Sequence, residues 1–144
     1  MGGDRWRENW RVAGREGATR FELPRSRRRR QEVQQRLREL APGTPVALAA
    51  SAPAARRRCR AAASSVGIEI EREYLAFPSA SAPAYLVDDA RAAADVFANT
   101  VLVAPPRTRL SLPISIGLYL LRATSPWRIL RLLAPGRVAV GRRA

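Results

Sequence analysis

The stretch "LRELAPGTPVALAA", residues 37–50, decides the fold, because a charged helical pattern stops there and an apolar run begins. Pro42 and Gly43 occupy the positions that usually lie just past a helix C-terminus. Residues 46–50 are apolar without alternation, which is typical of a strand buried on both faces of a parallel sheet. The sequence therefore predicts a helix that ends and runs directly into a buried strand.

The helical pattern before this break begins near Arg29. Val33, Leu37 and Leu40 are spaced four and three residues apart, so they share one face of an α-helix. Polar and charged residues occupy the other positions. We expect this apolar face to pack on the sheet that contains residues 46–50.

A second helix and a second strand follow in the same order. The helix is predicted between Pro53 and Gly67, where a proline suits the start and a glycine the end. Its weak apolar stripe consists of Ala55, Cys59, Ala62 and Val66. The strand is "IEIEREYLAF", residues 68–77, with Ile68, Ile70 and Tyr74 predicted inward and Glu69, Glu71 and Glu73 outward. Helix, strand, helix and strand together predict an α/β sheet.

The remainder of the chain is less regular. Residues 78–87 are predicted as a loop, and Asp88 and Asp89 suit the start of a helix. Two short helices joined at Ser125-Pro126 are expected within 110–133, which makes 88–134 a helical insertion. Residues 137–143, "RVAVGRR", alternate as a closing strand.

The first 28 residues show neither a helical nor a strand period. Trp6 and Trp10 have helical spacing, but Gly14 and Gly17 interrupt any continuation. We therefore predict a basic, disordered arm over residues 1–28, followed by an α/β half-domain over residues 29–144.

The charge of the chain is extreme. All 26 basic residues are Arg, against 12 acidic residues, so the net charge is +14. Such a charge favours a nucleic-acid or anionic-membrane partner. A GC-rich genome would also produce an Arg-rich chain without Lys, so the excess has a mutational explanation as well.

Several function classes are excluded by composition. The 144 residues contain no His and a single Cys, Cys59, so Ser-His or Cys-His nucleophilic catalysis and a zinc site are not expected. No secretory signal pattern is present, and the longest apolar stretch, residues 110–121, is shorter than the roughly 20 residues that span a bilayer. We expect a cytoplasmic protein.

The order of these elements resembles the C-terminal half of class I S-adenosylmethionine-dependent methyltransferases. The residues that carry the resemblance before the first strand are Leu37, Arg38, Leu40, Pro42 and Gly43; those before the second are Val66, Gly67 and Ile68. The resemblance implies that residues 46–50 and 68–77 are the fifth and sixth strands of a partial Rossmann-like sheet. It further implies that residues 137–143 are the final antiparallel strand.

The chain departs from that family where the cofactor binds. The family holds the cofactor with a glycine-rich turn after its first strand and an acidic residue after its second, and no G-x-G occurs here. Thr44 also replaces the second glycine of the family's Pro-Gly-Gly. We therefore expect no catalytic, cofactor-binding or metal-binding residue, and no S-adenosylmethionine binding unless a partner chain supplies the glycine-rich half.

Two alternatives remain open from the residues. One is a small nucleic-acid-binding protein whose phosphate contacts come from two Arg runs, with Arg27, Arg28, Arg29 and Arg30 in the first and Arg56, Arg57 and Arg58 in the second. The other, which we consider the weaker, is attachment to a membrane surface through the basic and apolar residues of 110–133.

Overall fold

The computed structural model describes residues 17–101 and 126–144, together with residues 113, 116, 117 and 119. The strands within the described part are β1 (Thr19–Glu22), β2 (Pro45–Ser51), β3 (Ile68–Phe77), β4 (Tyr85–Asp88) and β5 (Gly136–Arg143). The helices there are α1 (Arg27–Arg38), α2 (Ala55–Val66), α3 (Arg91–Thr100) and α4 (Pro126–Leu133). The predicted α/β class is therefore confirmed.

The five strands form one mixed, open sheet in the order β1-β2-β5-β3-β4. β1 pairs with β2 in parallel, and Phe21 lies opposite Leu48. β5 lies between β2 and β3 and is antiparallel to both. β2 and β3 therefore point in the same direction, with the last strand of the chain inserted between them.

β2 is buried on both faces, as predicted. Residues 46–50 are each at most 2% exposed, and they alternate between two apolar clusters. Val46, Leu48 and Ala50 lie in the cluster that includes residues of α1 and α2. Ala47 and Ala49 lie in the other, with Tyr74 and Val138. A continuous apolar run is thus required here, because neither face of the strand meets solvent.

Helices α1 and α2 cover the first of these faces. Leu37 of α1 and Cys59 of α2 are fully buried in the same cluster, and Val33 and Leu40 pack against it. α2 ends at Gly67, which adopts the left-handed conformation (φ 70°) that favours glycine at a helix C-terminus. Both predicted helices are confirmed, and the residues of their predicted apolar faces lie in or against this cluster, although Leu40 lies just past the end of α1.

A β-bulge corrects the predicted facing of β3. The pairing with β5 shifts between Ile70 and Arg72, so Glu71 is an extra residue on β3. Because side chains alternate along a strand, one extra residue moves all later side chains to the opposite face. Tyr74 therefore lies in the second cluster, and Glu73 faces α2 instead of pointing outward with Glu69.

Two further expectations differ from the structure. The sequence predicts residues 19–22 within a disordered arm, but they form β1 because β2 offers them a parallel partner, and α1 begins at Arg27. Residues 85–87 are predicted as part of a loop and Asp88 as a helix start, but Tyr85–Asp88 form β4 at the edge of the sheet. The part of the arm before residue 17 and most of the first helix predicted within 110–133 lie outside the described residues.

Residues Val87–Leu133 form a second compact unit. Its helix α3 begins after Ala90, and neither Asp88 nor Asp89 caps it through a side-chain hydrogen bond. Asp89 instead accepts a hydrogen bond from Trp127 Nε1 at 2.9 Å and pairs with Arg131 at 3.3 Å. Asp89 thus has a structural contact within this unit in place of the predicted helix-start role.

Candidate anion-binding cleft

A charged cleft of the sheet unit lies at the carboxyl ends of β1 and β2. Each strand leads into a helix, α1 and α2 respectively, and both helices pack on the same face of the sheet. The space between the two helices is a cleft of about 730 Å³. Ligands of open α/β sheets commonly bind outside the carboxyl ends of the strands, so the position suits a binding site.

Five arginines line this cleft, and the side chains around it carry one sign of charge. The arginines are Arg25, Arg27, Arg30, Arg57 and Arg58. The other lining residues are Leu23, Gln31, Gln34, Pro53, Ala54, Ala61 and Ala62. Among the described residues that line the cleft, none is acidic. The cleft is therefore a concentrated positive region with an apolar floor.

Arg58 holds the edges of the cleft together. Its guanidinium donates hydrogen bonds to the carbonyl oxygens of Leu23, Ser51 and Pro53, which belong to the segments that follow β1 and end β2. Arg25 donates to the carbonyl oxygen of Ala52 in the same region. These two arginines therefore tie the β1–α1 and β2–α2 connections to each other.

The positive groups of the cleft repel one another. Burial, together with the charges of Arg25 and Arg30, holds the pKa of the Arg58 guanidinium below its ordinary value. Like charges in a partly desolvated space raise the free energy of the unliganded cleft. A bound anion would remove that repulsion.

The cleft lies beside the N-termini of two helices, since Arg27 of α1 and Ala54, the N-cap of α2, are among its lining residues. α1 begins at Arg27 and α2 at Ala55, and neither helix has an acidic residue in its first turn or a side-chain hydrogen bond at its N-cap. The N-cap of α2, Ala54, adopts a left-handed conformation with φ 58°. The backbone N–H groups of a first helical turn carry partial positive charge, which adds to that of the arginines.

The structure brings together four of the seven arginines singled out in the sequence. Arg27, Arg30, Arg57 and Arg58 line the cleft, and so does Arg25, which is not among the predicted site residues. The available signal was its membership of the Arg-rich run "RSRRRR", residues 25–30, directly before α1.

The remaining three point elsewhere. Arg29 lines a neighbouring hollow that also contains Glu22 and Glu32. Arg28 is exposed and approaches Glu32 at 3.9 Å. Arg56 pairs with Glu73 at 2.9 Å, so it belongs to the packing of α2 on β3.

Glu73 is the acid that neutralises one side of α2. Its carboxylate accepts hydrogen bonds from Arg56 Nε at 2.9 Å and from Arg60 Nε at 2.6 Å, and its side chain is 15% exposed. Burial raises the pKa of this carboxyl, but the hydrogen bonds from Arg60 and Arg56 outweigh burial and hold the pKa below its usual value. Glu73 is therefore ionised and paired at neutral pH.

Cys59 is a core residue. It is buried in the cluster beneath α2, and burial raises the pKa of its thiol to about 12. A neutral, inaccessible thiol is a poor nucleophile. Among the described residues, no group of three His, Cys, Asp or Glu side chains is placed to hold a metal ion.

Comparisons with known proteins identify no relative. No protein-family model matches the chain, and no curated protein or solved structure is similar to it. In the part of the chain that the structure describes, no helix has the length and apolarity needed to cross a membrane.

Proposed function

We propose that this chain is the C-terminal half of a methyltransferase-like, Rossmann-like α/β domain. The resemblance in the sequence implies a helix, a strand, a second helix, a second strand and a final antiparallel strand. The supporting observation is the direction of the strands: β2 and β3 point the same way, and β5 is antiparallel to both. The left-handed glycine before β3, Gly67, agrees with the small residue–Gly–apolar turn of the resemblance.

These residues do not suit the cofactor of that family. A glycine-rich turn must follow a strand for the backbone to approach a nucleotide-like ligand. The glycines with positive φ in the described residues, Gly17, Gly43 and Gly67, all precede a strand. The segments that follow β1 and β2 contain proline and arginine or alanine in place of glycine. S-adenosylmethionine would have to be held by residues outside these 144.

Calorimetric titration of S-adenosylmethionine tests this proposal. The chain alone is expected to show no heat of binding. If the neighbouring reading frame encodes a glycine-rich half, the chain joined to that half is expected to bind in the micromolar range. Micromolar binding by the 144 residues alone, or no binding by the completed domain, would refute it.

Nucleic-acid binding is a second candidate function, and the arginine cleft is the observation that favours it. Arginines neutralise phosphates, and the resulting affinity falls steeply as salt rises. Filter binding of single-stranded and duplex DNA over a salt series measures this dependence. An absence of binding near ~0.15 M salt, where non-specific binders retain dissociation constants of roughly 10⁻⁴–10⁻⁶ M, would remove this candidate.

Membrane-surface attachment through 110–133 is the weaker candidate. Leu132 and Leu133 of α4 are 83% and 66% exposed, which agrees with it. However, Trp127 and Arg131, which would face the lipid, are engaged by Asp89. Sedimentation with anionic and neutral liposomes tests it, and equal recovery in the absence of lipid would exclude it.

A further inference from the structure

Three arginines of the cleft have no partner among the described residues. The guanidinium groups of Arg25 and Arg58 donate to backbone carbonyls, whereas those of Arg27, Arg30 and Arg57 make no hydrogen bond or ion pair to described residues. Guanidinium groups form short, bidentate hydrogen bonds with phosphate. Three such groups around one space can contact several oxygens of the same anion.

The charge of the cleft is concentrated at one end. Arg27 and Arg57 lie in the first turns of α1 and α2, where the N–H groups of both helices add partial positive charge. A phosphate monoester carries nearly two negative charges at neutral pH, whereas each phosphodiester carries one. The arrangement therefore matches a terminal phosphate better than a continuous backbone.

The rest of the cleft offers a different surface. Leu23, Pro53 and Ala61 line it with apolar atoms, and Gln31 and Gln34 add amide groups that donate and accept hydrogen bonds. The volume of about 730 Å³ is within the range of small-molecule sites, roughly 300–1,000 Å³. A planar base can lie on the apolar wall while a glutamine contacts its edge.

We propose that this cleft binds the terminal phosphate of a nucleotide, free or at the 5′ end of a strand. The phosphate contacts Arg27, Arg30 and Arg57 and the two helix N-termini. Arg25 and Arg58 are positioning residues, because they fix the loops that carry these groups. The proposal goes beyond the methyltransferase-like role and does not depend on it.

The experiment is fluorescence anisotropy of a short labelled oligonucleotide at constant ionic strength. The 5′-phosphorylated form is expected to bind about tenfold more tightly than the 5′-hydroxyl form, because it adds charge-assisted hydrogen bonds. A nucleoside monophosphate is expected to displace it, and the matching nucleoside is not. The nucleoside control shows that displacement depends on the phosphate. Displacement by the monophosphate at a concentration equal to that of the oligonucleotide indicates that the free nucleotide alone suffices.

Variants locate the site. The double variant Arg30→Ala with Arg57→Ala is expected to remove the preference for the 5′ phosphate, because both side chains line the cleft. The control is Arg28→Ala, which removes an equally charged, exposed residue of α1 outside the cleft and is expected to preserve the preference. Circular dichroism verifies that each variant is folded.

Two results would overturn the proposal. One is equal affinity for the phosphorylated and hydroxyl strands. The other is an equal loss of the preference in Arg28→Ala and in the cleft variant. If hydroxyl strands bind equally well and more tightly as they lengthen, general nucleic-acid binding stands and the terminal-phosphate site fails. The calorimetric titration with S-adenosylmethionine is independent of all these outcomes.

Discussion

Helix α2 carries arginines on two sides, and only one of the two sides meets an acidic residue. Arg56 and Arg60 lie one turn apart and share the carboxylate of Glu73 on β3. Arg57 and Arg58 face the cleft, where the described lining residues include no acid. All four come from the same five-residue run, "RRRCR". A run that looks like one basic patch in the sequence is therefore two surfaces in the structure.

The difference shows that the partner of an arginine depends on the neighbouring element and not on the run itself. Successive helical residues are separated by about 100°, so adjacent arginines meet different surroundings. Residue 73 faces α2 only because the bulge at Glu71 shifts the alternation of β3. Arg56 and Arg60 thus pair with an acid of the fold, whereas on the cleft side Arg58 donates to backbone carbonyls and Arg57 remains available to an anion.

The largest expected effect comes from disturbing the strand pairing that turns Glu73 toward α2. Gly141 lies opposite Ile70, next to the bulge, and a Cβ at Gly141 would lie 2.0 Å from the carbonyl oxygen of Glu69. Gly141→Ala must displace β3 or β5, and we expect a loss of about 3 kcal/mol in the free energy of unfolding. Urea denaturation measures it.

The matched control for that substitution is Gly117→Ala, where an added Cβ meets no heavy atom of a described residue within 4 Å. We expect it to change stability by less than ~1 kcal/mol. Equal stability of Gly141→Ala and the parent protein would show that the described pairing of β3 with β5 is wrong.

Arg58→Ala is expected to have the next largest effect. It removes the hydrogen bonds to the carbonyls of Leu23, Ser51 and Pro53, and it also relieves repulsion from Arg25. Because these contributions oppose each other, we expect a net loss of about 2 kcal/mol, measured by urea denaturation. A gain in stability would contradict the anchoring role of Arg58.

Glu73→Gln tests the neutralised side of α2. We expect a loss of about 1–2 kcal/mol at neutral pH, because Arg56 and Arg60 lose a charged partner. The pKa of Glu73 is lowered by folding, so its contribution is full above the unfolded pKa of about 4.3 and is lost as the pH falls through the folded value.

Stability curves of the parent and Glu73→Gln between pH 7 and pH 2 measure this contribution. The two curves are expected to converge in acid. If the difference in free energy of unfolding between the two proteins stays constant over that range, the effect of the substitution comes from packing and not from charge.

The smallest effect is expected for Arg57→Ala. Arg57 makes no contact with an acid among the described residues, so its removal is expected to change stability by no more than about 0.5 kcal/mol. Thermal unfolding measures this in the absence of ligand. A loss similar to that of Glu73→Gln would mean that Arg57 has a structural partner.

The sequence predicted the elements whose burial leaves a clear pattern. β2 is buried on both faces and reads as a continuous apolar run, and α2 ends at a glycine. β1, in contrast, is four residues, "TRFE", with two charges, so only its pairing with β2 makes it a strand. Parallel pairing is a contact between distant residues, and local periodicity does not reveal it.

The same limit explains the site. The two arginine runs could be read from the sequence, but their division could not. Arg56 has an acidic partner because a bulge turns Glu73 toward α2, and that bulge depends on how β3 and β5 pair. Arg25 joins it because β1 exists, which the composition of residues 17–28 did not indicate. The resemblance to the methyltransferase family stays a prediction.

The most direct measurement compares Arg56→Ala with Arg57→Ala, adjacent residues of identical charge on one helix. Thermal unfolding is recorded for each with and without a nucleoside monophosphate at constant ionic strength. The account predicts that Arg56→Ala lowers the midpoint but keeps the ligand-induced rise, whereas Arg57→Ala keeps the midpoint and loses the rise. Identical behaviour of the two variants would contradict the division of α2 into a structural and a binding side.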